Sequence, residues 1–260
     1  MTTKFEILPV ELLGDYKKTI DSSELTKSFE SLTEADISTD TFSFYTSVAS
    51  VFSSKIEGEE TELDSYIKFK KFGVKFQPDY TNKIDDLYNA YIFAKNNPLS
   101  EKNLMKAHKL VSKHLVDKYQ RGEFRNQNMY VISDNGGIEY VAASPYEVTS
   151  EMEKLFADIN HLLTTEMTLL EVFYFAALIH LVFVKIHPFN DGNGRMARLL
   201  EKWFLSQKAG DKAWFVQSEK NYYLQHQTYY NNLRALGLEY PELDYNKALP
   251  FLMMTGKSLE

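Results

Sequence analysis

Two predicted helices are joined by the stretch HPFNDGNGRMAR, residues 187–198. Pro188 disfavours helical geometry at His187, so the apolar helix before it should end there and leave the imidazole at its tip. Gly192 and Gly194 permit positive φ angles and a close approach of a ligand to the backbone. The next helix begins directly after them, and the unsatisfied N–H groups of its first turn form an anion cradle suited to phosphates.

Four side chains add chemistry to this cradle. Arg195 and Arg198 are three residues apart and therefore share one helix face, where two guanidinium groups suit a polyphosphate. Asp191 offers a hard oxygen ligand of the kind that Mg²⁺ prefers, and His187 offers a base that titrates near neutrality. Taken singly, each residue is more simply explained as part of a turn or a solvated helix face. Together, at the end of a buried helix, they favour phosphoryl or nucleotidyl transfer.

The same stretch resembles the signature of Fic proteins, His-x-Phe-x-Asp/Glu-Gly-Asn-Gly-Arg-x-x-Arg, at every fixed position. The similarity extends over roughly residues 45–235. It implies that His187 takes a proton from a target hydroxyl and that Asp191 binds Mg²⁺ on the phosphates of ATP. It also implies a set of nucleotide-binding residues, with Phe189 only anchoring the loop. That set is backbone at Gly192, Asn193 and Gly194, with Asn193 on the α-phosphate, Arg195 near the β-phosphate and Arg198 on the γ-phosphate.

Two flanking segments carry the resemblance further. RGEFRNQNMYV, residues 121–131, resembles the lead into the family's target-binding flap, and strand-like runs around SDNGG predict a β-hairpin over 129–142. A target could pair with this hairpin as an added strand, at Tyr130, Val131 and Ile132, although a hairpin can also be a mere connection. SEKNYYLQHQTYYNNL, residues 218–233, resembles the helix that borders the adenine, which implies base contacts from Tyr222, Gln225 and Tyr229.

Upstream, the segment SSKIEG at residues 53–58 resembles the inhibitory motif of Fic proteins, Ser/Thr-x-x-x-Glu-Gly/Asn. Ser53 and Glu57 are four residues apart and fall on one face of a predicted helix. The resemblance implies that Glu57 pairs with Arg198 and removes the contact that should hold the γ-phosphate. The simpler alternative is an ordinary charge near a helix end.

The remaining histidines have no comparable context and are interpreted as packing or surface residues. They are His108, His114, His161, His180 and His226.

Composition excludes several classes of protein. The chain has no cysteine, which excludes disulfides and cysteine nucleophiles and is compatible with a reducing cytoplasm, the expected location. A net charge of −7 disfavours binding to nucleic acid. The first residues lack the regions of a signal peptide, and the apolar stretch 172–184 is interpreted as a buried core helix too short to span a membrane.

The pattern along the chain predicts a mainly α fold with a Fic-type helical core, one β-hairpin flap and an N-terminal helical region. The expected divisions are 1–95 with the inhibitory motif, 96–236 as catalytic core and 237–260 as a C-terminal extension. Residues 1–38 suggest polar linker with short helix. Further helices are predicted over 41–56, 60–72, 80–95, 100–119, 146–164, 168–186, 193–208 and 219–236.

These observations predict a protein adenylyltransferase that moves AMP from ATP, with Mg²⁺, onto a Ser, Thr or Tyr hydroxyl of a target protein, including a copy of itself. Two alternatives stay open: a related transferase that uses another nucleotide or phosphate-containing donor, and a regulatory binding module with vestigial chemistry. Neither a membrane nor a nucleic acid is expected as a partner.

Overall fold

The computed structural model describes residues 5–33, 44–74, 81–132 and 138–259. The α-helices in these ranges are α1 Leu13–Thr19, α2 Ser22–Ser31, α3 Phe44–Ile56, α4 Leu63–Phe72, α5 Asn82–Lys95, α6 Glu101–Val111, α7 Val148–Thr164, α8 Leu169–Ile186, α9 Asn193–Ala209, α10 Ser218–Leu224, α11 His226–Arg234 and α12 Leu249–Lys257. The strands β1 Tyr130–Ile132 and β2 Ile138–Val141 form one antiparallel hairpin between α6 and α7. Short 3₁₀ helices lie at Asp211–Phe215, Tyr240–Glu242 and Tyr245–Lys247. This mainly α architecture with one hairpin confirms the predicted fold class.

The central helix is α8. It begins with a capping box, in which Thr168 Oγ1 accepts the N–H of Glu171 at 3.3 Å and the Glu171 carboxylate accepts the N–H of Thr168 at 2.8 Å. The helix packs against α9, α12 and α7. Its 18 residues and mean hydropathy of 2.0 would suffice to cross a membrane, but 89% of it is buried inside the protein. Burial, rather than the short length expected from the sequence, therefore identifies α8 as a core helix.

The N-terminal segment is more ordered than the polar pattern of residues 1–38 suggested. Helices α1 and α2 both pack on α8, and the ring of Tyr16 lies edge-on to that of Tyr174 with centroids 5.2 Å apart. The Asp158 carboxylate accepts the N–H groups of residues 6–8 at 2.8 to 2.9 Å. Only two apolar residues of α2, Leu25 and Phe29, are buried, which explains the weak sequence pattern. The part of the predicted linker at residues 34–38 lies outside the described residues.

Helix α3 carries the segment that resembles an inhibitory motif, and it is buried deep in the protein. It packs between α5 and α10 and also contacts α4 and α9. Small buried side chains, among them Ser47 and Ser50, allow these neighbours to approach closely. The predicted start at residues 41–43 lies outside the described residues. Helix α3 ends at Ile56, so Glu57 is the first residue beyond it.

Two predicted helix boundaries were wrong. Helix α6 ends at Val111 rather than near Tyr119, and beyond its end the N–H of His114 donates to the Asp86 carboxylate at 3.1 Å instead of to a helical carbonyl. The helix predicted over 219–236 is divided into α10 and α11 at Gln225, whose ψ of 34° leaves helical geometry.

The C-terminal segment also contributes to the core. Helix α12, which the sequence pattern did not predict, packs against α8. Apolar residues from all three predicted segments, such as Ala49, Leu178 and Leu252, belong to one hydrophobic cluster. The divisions at 95 and 236 therefore do not separate independent cores among the described residues.

Candidate active site

His187 lies at the C-terminal end of α8 in an unusual backbone conformation. Its φ of 53° and ψ of 60° are left-handed, and it is the only non-glycine residue with positive φ among those described. Its N–H still donates to the Phe183 carbonyl at 3.0 Å, so the residue caps the helix. A left-handed conformation costs a side-chain-bearing residue of order 1–3 kcal/mol and is found preferentially at functional sites.

The imidazole of His187 is held at one nitrogen. Nδ1 lies 2.6 Å from the Tyr140 hydroxyl and 3.2 Å from the Val184 carbonyl oxygen. Burial lowers the pKa of His187 to about 4, with the positive charges of Arg125 and Lys185 acting in the same direction. The ring is therefore neutral at physiological pH, as a general base must be before it accepts a proton.

The loop after His187 is braced from within. Asn193 Oδ1 accepts the Phe189 N–H and Asn193 Nδ2 donates to the Phe189 carbonyl, each at 2.8 Å. Phe189 is fully buried, as predicted for an anchor. Because both polar groups of the Asn193 side chain are engaged with Phe189, its predicted contact with a phosphate is most readily made by its backbone N–H.

A second brace comes from His108, which the sequence interpretation left as a packing or surface residue. Its ring stacks on Phe189 with centroids 3.6 Å apart and planes 5° apart. The N–H of Gly122 donates to His108 Nδ1 at 2.8 Å, so Nε2 carries the proton and donates to the Asp191 carbonyl at 3.0 Å. Burial lowers the pKa of His108 to about 4, which keeps this arrangement neutral. His108 thus packs, but it also holds the backbone at Asp191.

A third brace is the buried side chain of Arg125. Its Nε donates to the His187 carbonyl at 2.7 Å, and its backbone N–H donates to the Pro188 carbonyl at 2.9 Å. Nη1 donates to Gln127 and Nη2 to Ala143, so the same guanidinium ties the segments flanking the hairpin to the loop. No role was predicted for Arg125 from the sequence, although the segment that contains it resembles the lead into a target-binding flap.

The start of α9 has the backbone geometry predicted for the anion cradle. Gly192 caps the helix with a left-handed φ of 80°, which a glycine adopts without strain. Arg195 and Arg198 are both buried beside it. Within the described part of the chain, the buried Nε of Arg195 has no hydrogen-bond partner. An unpartnered buried guanidinium N–H is costly, and an anionic ligand would satisfy it.

Glu57 lies directly on this cradle. Its Oε1 accepts a hydrogen bond from Arg198 Nη2 at 2.6 Å, and a Cβ added at Gly194 would come within 2.3 Å of the same oxygen. Ser53 holds the other side of the guanidinium, since Arg198 Nε donates to Ser53 Oγ at 2.8 Å and Nη2 donates to the Ser53 carbonyl at 3.0 Å. Although burial alone would raise the pKa of Glu57, the facing Arg198 and Arg195 hold it below its ordinary value. The carboxylate is therefore charged at neutral pH.

A second carboxylate, which sequence reasoning missed, faces the other arginine. Glu59 Oε1 lies 3.4 Å from Arg195 Nη2 and 2.8 Å from Lys83 Nζ. The segment just after α3 thus brings one carboxylate to each arginine of the cradle.

The three predicted adenine contacts differ in exposure. The rings of Tyr222 and Tyr229 are buried, so they present no face to a base in this conformation. The Tyr222 hydroxyl donates to Glu201 at 2.7 Å, and the Tyr229 hydroxyl lies between His180 Nε2 at 3.1 Å and Arg198 Nη1 at 3.4 Å. Gln225 is exposed, and its contact with the adenine stays a prediction. His180, interpreted as a packing residue, is buried.

The hairpin lies beside His187. Its register pairs Tyr130 with Val141 and Val131 with Tyr140, while the turn at residues 133–137 lies outside the described residues. Tyr130 and Ile132 are 48% and 63% exposed, and Val131 is half-buried. Among the described residues β1 pairs only with β2, so its outer edge faces no other strand. On the inner side Val141 is tied to Leu238 by a backbone hydrogen bond of 2.7 Å.

Asp191 is exposed at the mouth of the cradle. Among the described residues no group of three or more His, Asp or Glu side chains could hold a metal ion. This donor set fits Mg²⁺ that arrives with a nucleotide, since Mg²⁺ is commonly held by one or two carboxylates together with phosphates and water.

The fold and the site together define a helical domain that presents a neutral histidine next to an anion cradle. Residues 98–205 match the model of the Fic/DOC family. The chain is 33% identical over 131 residues to the protein adenylyltransferase Fic of Culex quinquefasciatus, a match that covers 50% of this chain and 24% of the relative. It is 38% identical over 100 residues to the protein of the same name from Drosophila grimshawi, covering 38% of this chain and 18% of that protein. The chain thus spans about a quarter or less of the length of these curated relatives.

Solved structures share the fold. A Fic family protein from Desulfovibrio desulfuricans G20 superposes with a TM-score of 0.77 at 20% identity, covering 99% of this chain and 74% of that one. Residues 134–508 of Fic-1 from C. elegans superpose with a TM-score of 0.67 at 19% identity, covering 92% of this chain and 67% of that one. Residues 98–205 of this chain are therefore similar to the Fic/DOC family in sequence, and the described chain shares the fold of these Fic proteins.

Proposed function

We propose that this protein transfers AMP from ATP to a hydroxyl side chain of a target protein, and that Glu57 restrains the reaction. One observation carries the proposal: a neutral histidine lies beside an anion cradle in which the buried Nε of Arg195 lacks a partner among the described residues. That pairing suits a base working next to a bound polyphosphate. The relatives that bear the name protein adenylyltransferase support AMP as the transferred group.

In the proposed reaction the target hydroxyl oxygen forms a bond to the α-phosphorus of ATP. The bond from that phosphorus to the bridging oxygen of the β-phosphate breaks, and pyrophosphate leaves. His187 takes the hydroxyl proton as the new bond forms. Backbone N–H groups at the start of α9 and the Arg195 guanidinium hold the phosphates in line for this displacement.

Asp191 is the residue that would hold Mg²⁺, whose charge helps to neutralise the phosphates when the nucleotide is bound. The bracing of the Asp191 backbone by His108 keeps this carboxylate at the mouth of the cradle. Arg198 is the residue proposed for the γ-phosphate, and it is the residue that Glu57 engages.

The proposed restraint follows from that ion pair. A carboxylate bonded to Arg198 and lying over Gly194 competes, by charge and by volume, with a phosphate at the same place. ATP would then bind without its γ-phosphate held and with its α-phosphate out of line. Removal of the Glu57 carboxylate should free the arginine.

The outer edge of β1 is proposed to hold the target. An extended segment could pair with the outer edge of β1 over Tyr130–Ile132, while the exposed side chains of Tyr130 and Ile132 contact its flanks. Backbone pairing reads little of the target sequence, so the target class is a protein hydroxyl rather than a defined motif.

The test is labelling by the Glu57→Gly variant with ATP labelled either at the α- or at the γ-phosphate, in the presence of cell lysate. Transfer of AMP predicts labelled protein from α-labelled ATP alone. The matched control, Glu57→Gly with His187→Ala, should give no label. Label from the γ-phosphate would show that the protein transfers a phosphoryl group instead of AMP. Labelling only with another nucleoside triphosphate would show that ATP is not the donor.

A further inference from the structure

The hydroxyl of Tyr140 connects the hairpin to the catalytic end of α8. Tyr140 lies on β2 and is buried, whereas its neighbour Ile138 on the same strand is 56% exposed. The hydroxyl contacts two groups of α8 and its cap, the Val184 carbonyl oxygen and His187 Nδ1. Its distance to Nδ1 is 2.6 Å. The hairpin thus reaches the proposed base directly.

The positions of the protons follow from what each atom can do. A carbonyl oxygen only accepts, so the Tyr140 hydroxyl donates its single proton to Val184. The hydroxyl oxygen is then left as an acceptor for His187 Nδ1, which must carry a proton. Nδ1 also lies 3.2 Å from the Val184 carbonyl, another acceptor.

The opposite tautomer fits these contacts poorly. With Nδ1 unprotonated, the one hydroxyl proton would have to serve two acceptors, Nδ1 and the Val184 carbonyl oxygen. The Val184 carbonyl would then face a bare nitrogen or a bare oxygen. Protonated Nδ1 supplies the second hydrogen and satisfies every contact.

We propose that Tyr140 is a positioning residue that fixes His187 in the tautomer with the proton on Nδ1, so that the lone pair of Nε2 is available to take the proton of the target hydroxyl. Among the described residues no hydrogen bond engages Nε2. Burial also raises the pKa of Tyr140 well above its ordinary value, so the hydroxyl keeps its proton at any working pH. The inference rests on the proposed function for its catalytic consequence but not for the tautomer itself.

The tautomer can be read directly from the full chain by long-range ¹H–¹⁵N correlation of the histidine rings. The His187 signals are identified by their loss in His187→Ala. Wild type should show a protonated Nδ1 and an unprotonated Nε2. Tyr140→Phe keeps the ring but removes the hydroxyl, and should give a mixture in which protonated Nε2 appears. Tyr119→Phe, the same change at an exposed tyrosine outside the hairpin, should leave the wild-type pattern.

The second readout compares the effects on kcat and on the KM for ATP, both measured in the Glu57→Gly background. Tyr140→Phe should lower kcat by about 10- to 100-fold, less than the loss of the whole base would, while the KM for ATP stays unchanged. Tyr119→Phe should leave kcat for self-modification unchanged.

Wild-type His187 with its proton on Nε2 would overturn the proposal, and this holds even if Tyr140→Phe does not fold. A single Nδ1-protonated tautomer in folded Tyr140→Phe, or an unchanged kcat, would overturn it as well. If no variant transfers AMP, the proposed function fails while the spectra still decide the role of Tyr140.

Discussion

Glu57 Oε1 accepts a hydrogen bond from Arg198 Nη2 at 2.6 Å, and the two residues are 141 positions apart in the chain. The arginine side chain is 1% exposed and the carboxylate is 29% exposed, so one partner is fixed in the core while the other reaches in from its edge. The arginine is therefore the more tightly enclosed partner of the pair, and the glutamate the more accessible one.

The Glu57→Gly variant should transfer AMP faster than wild type, because Arg198 becomes free for the γ-phosphate. Loss of a carboxylate seldom raises an enzyme's rate, so the gain would be diagnostic. The measurement is the initial rate of AMP incorporation at fixed Mg-ATP. Adding Arg198→Ala should abolish the gain, since the two residues act as a unit. The inhibitory interpretation fails if wild type is active and Glu57→Gly is no faster.

The carboxylate of Glu59 allows a test in which two substitutions should change the affinity for ATP in opposite directions. Glu59→Gln should strengthen ATP binding a few-fold, because it removes a competitor for Arg195 that is only 3.4 Å away. Lys83→Met should weaken ATP binding. Glu59 then loses its nearer partner, and its carboxylate pairs with Arg195 alone. Calorimetric titration with Mg-ATP measures both. Changes of the same sign in the two variants would contradict competition at Arg195.

The phosphate site itself predicts losses of affinity. Arg195→Ala removes a charge-assisted contact worth about 1.5–3 kcal/mol, which corresponds to roughly a 10- to 100-fold weaker binding of ATP. Asp191→Ala should instead remove the dependence of binding on Mg²⁺. Titration with and without the metal distinguishes the two effects, and Arg234→Ala, at an exposed arginine, is the control. Affinity and metal dependence that stay unchanged in both variants would leave the site without support.

His108→Phe should retain the stack on Phe189 but leave the Asp191 carbonyl and the Gly122 N–H without partners. Each unsatisfied buried group costs about 1–3 kcal/mol, so the free energy of unfolding should fall by that order. The rate of AMP transfer in the Glu57→Gly background should fall too, because the loop loses its brace. The same substitution at the exposed His161 should change neither quantity. Equal stability of both variants would remove the bracing role.

The low pKa of His187 predicts the shape of the pH profile. Because burial lowers this pKa to about 4, the ring is in its active, neutral form throughout the range above about pH 5. In Glu57→Gly the pKa should fall further, since the nearby negative charge that raises it is gone. The value of kcat/KM, which reports the free enzyme, should therefore stay level from about pH 5 to 8. An acid limb centred near the ordinary histidine value of about 6.5 would contradict this.

Local sequence patterns predicted the parts of the site that are close together in the chain. Pro188 after an apolar helix, and glycines before the next one, suffice to predict the position of His187 and the cradle at α9. The structure places Glu57 against Arg198 as the resemblance implied, while its inhibitory role stays a prediction. The hairpin pairing of β1 with β2 was predicted from the turn-rich segment between two β-forming runs.

The residues that were missed act across long separations. Arg125 contacts a carbonyl 62 positions away, His108 one 83 positions away and Tyr140 a ring 47 positions away. Each looks ordinary in its own segment, because only the folded backbone brings a buried acceptor to it. The break between α10 and α11 was missed for a similar reason, since no glycine or proline marks it.

The burial of α3 has a consequence for how the proposed restraint could be lifted. Helix α3 is enclosed by α5 and α10, and its residue Val51 is fully buried. Withdrawal of the whole helix would expose part of the core, so activation by its departure would cost a large share of the protein's stability. Rotation of one glutamate side chain, just beyond the last helical residue, disturbs none of that packing. The proposed switch is therefore as small as a single rotamer, and signals that act on it need only compete for one carboxylate.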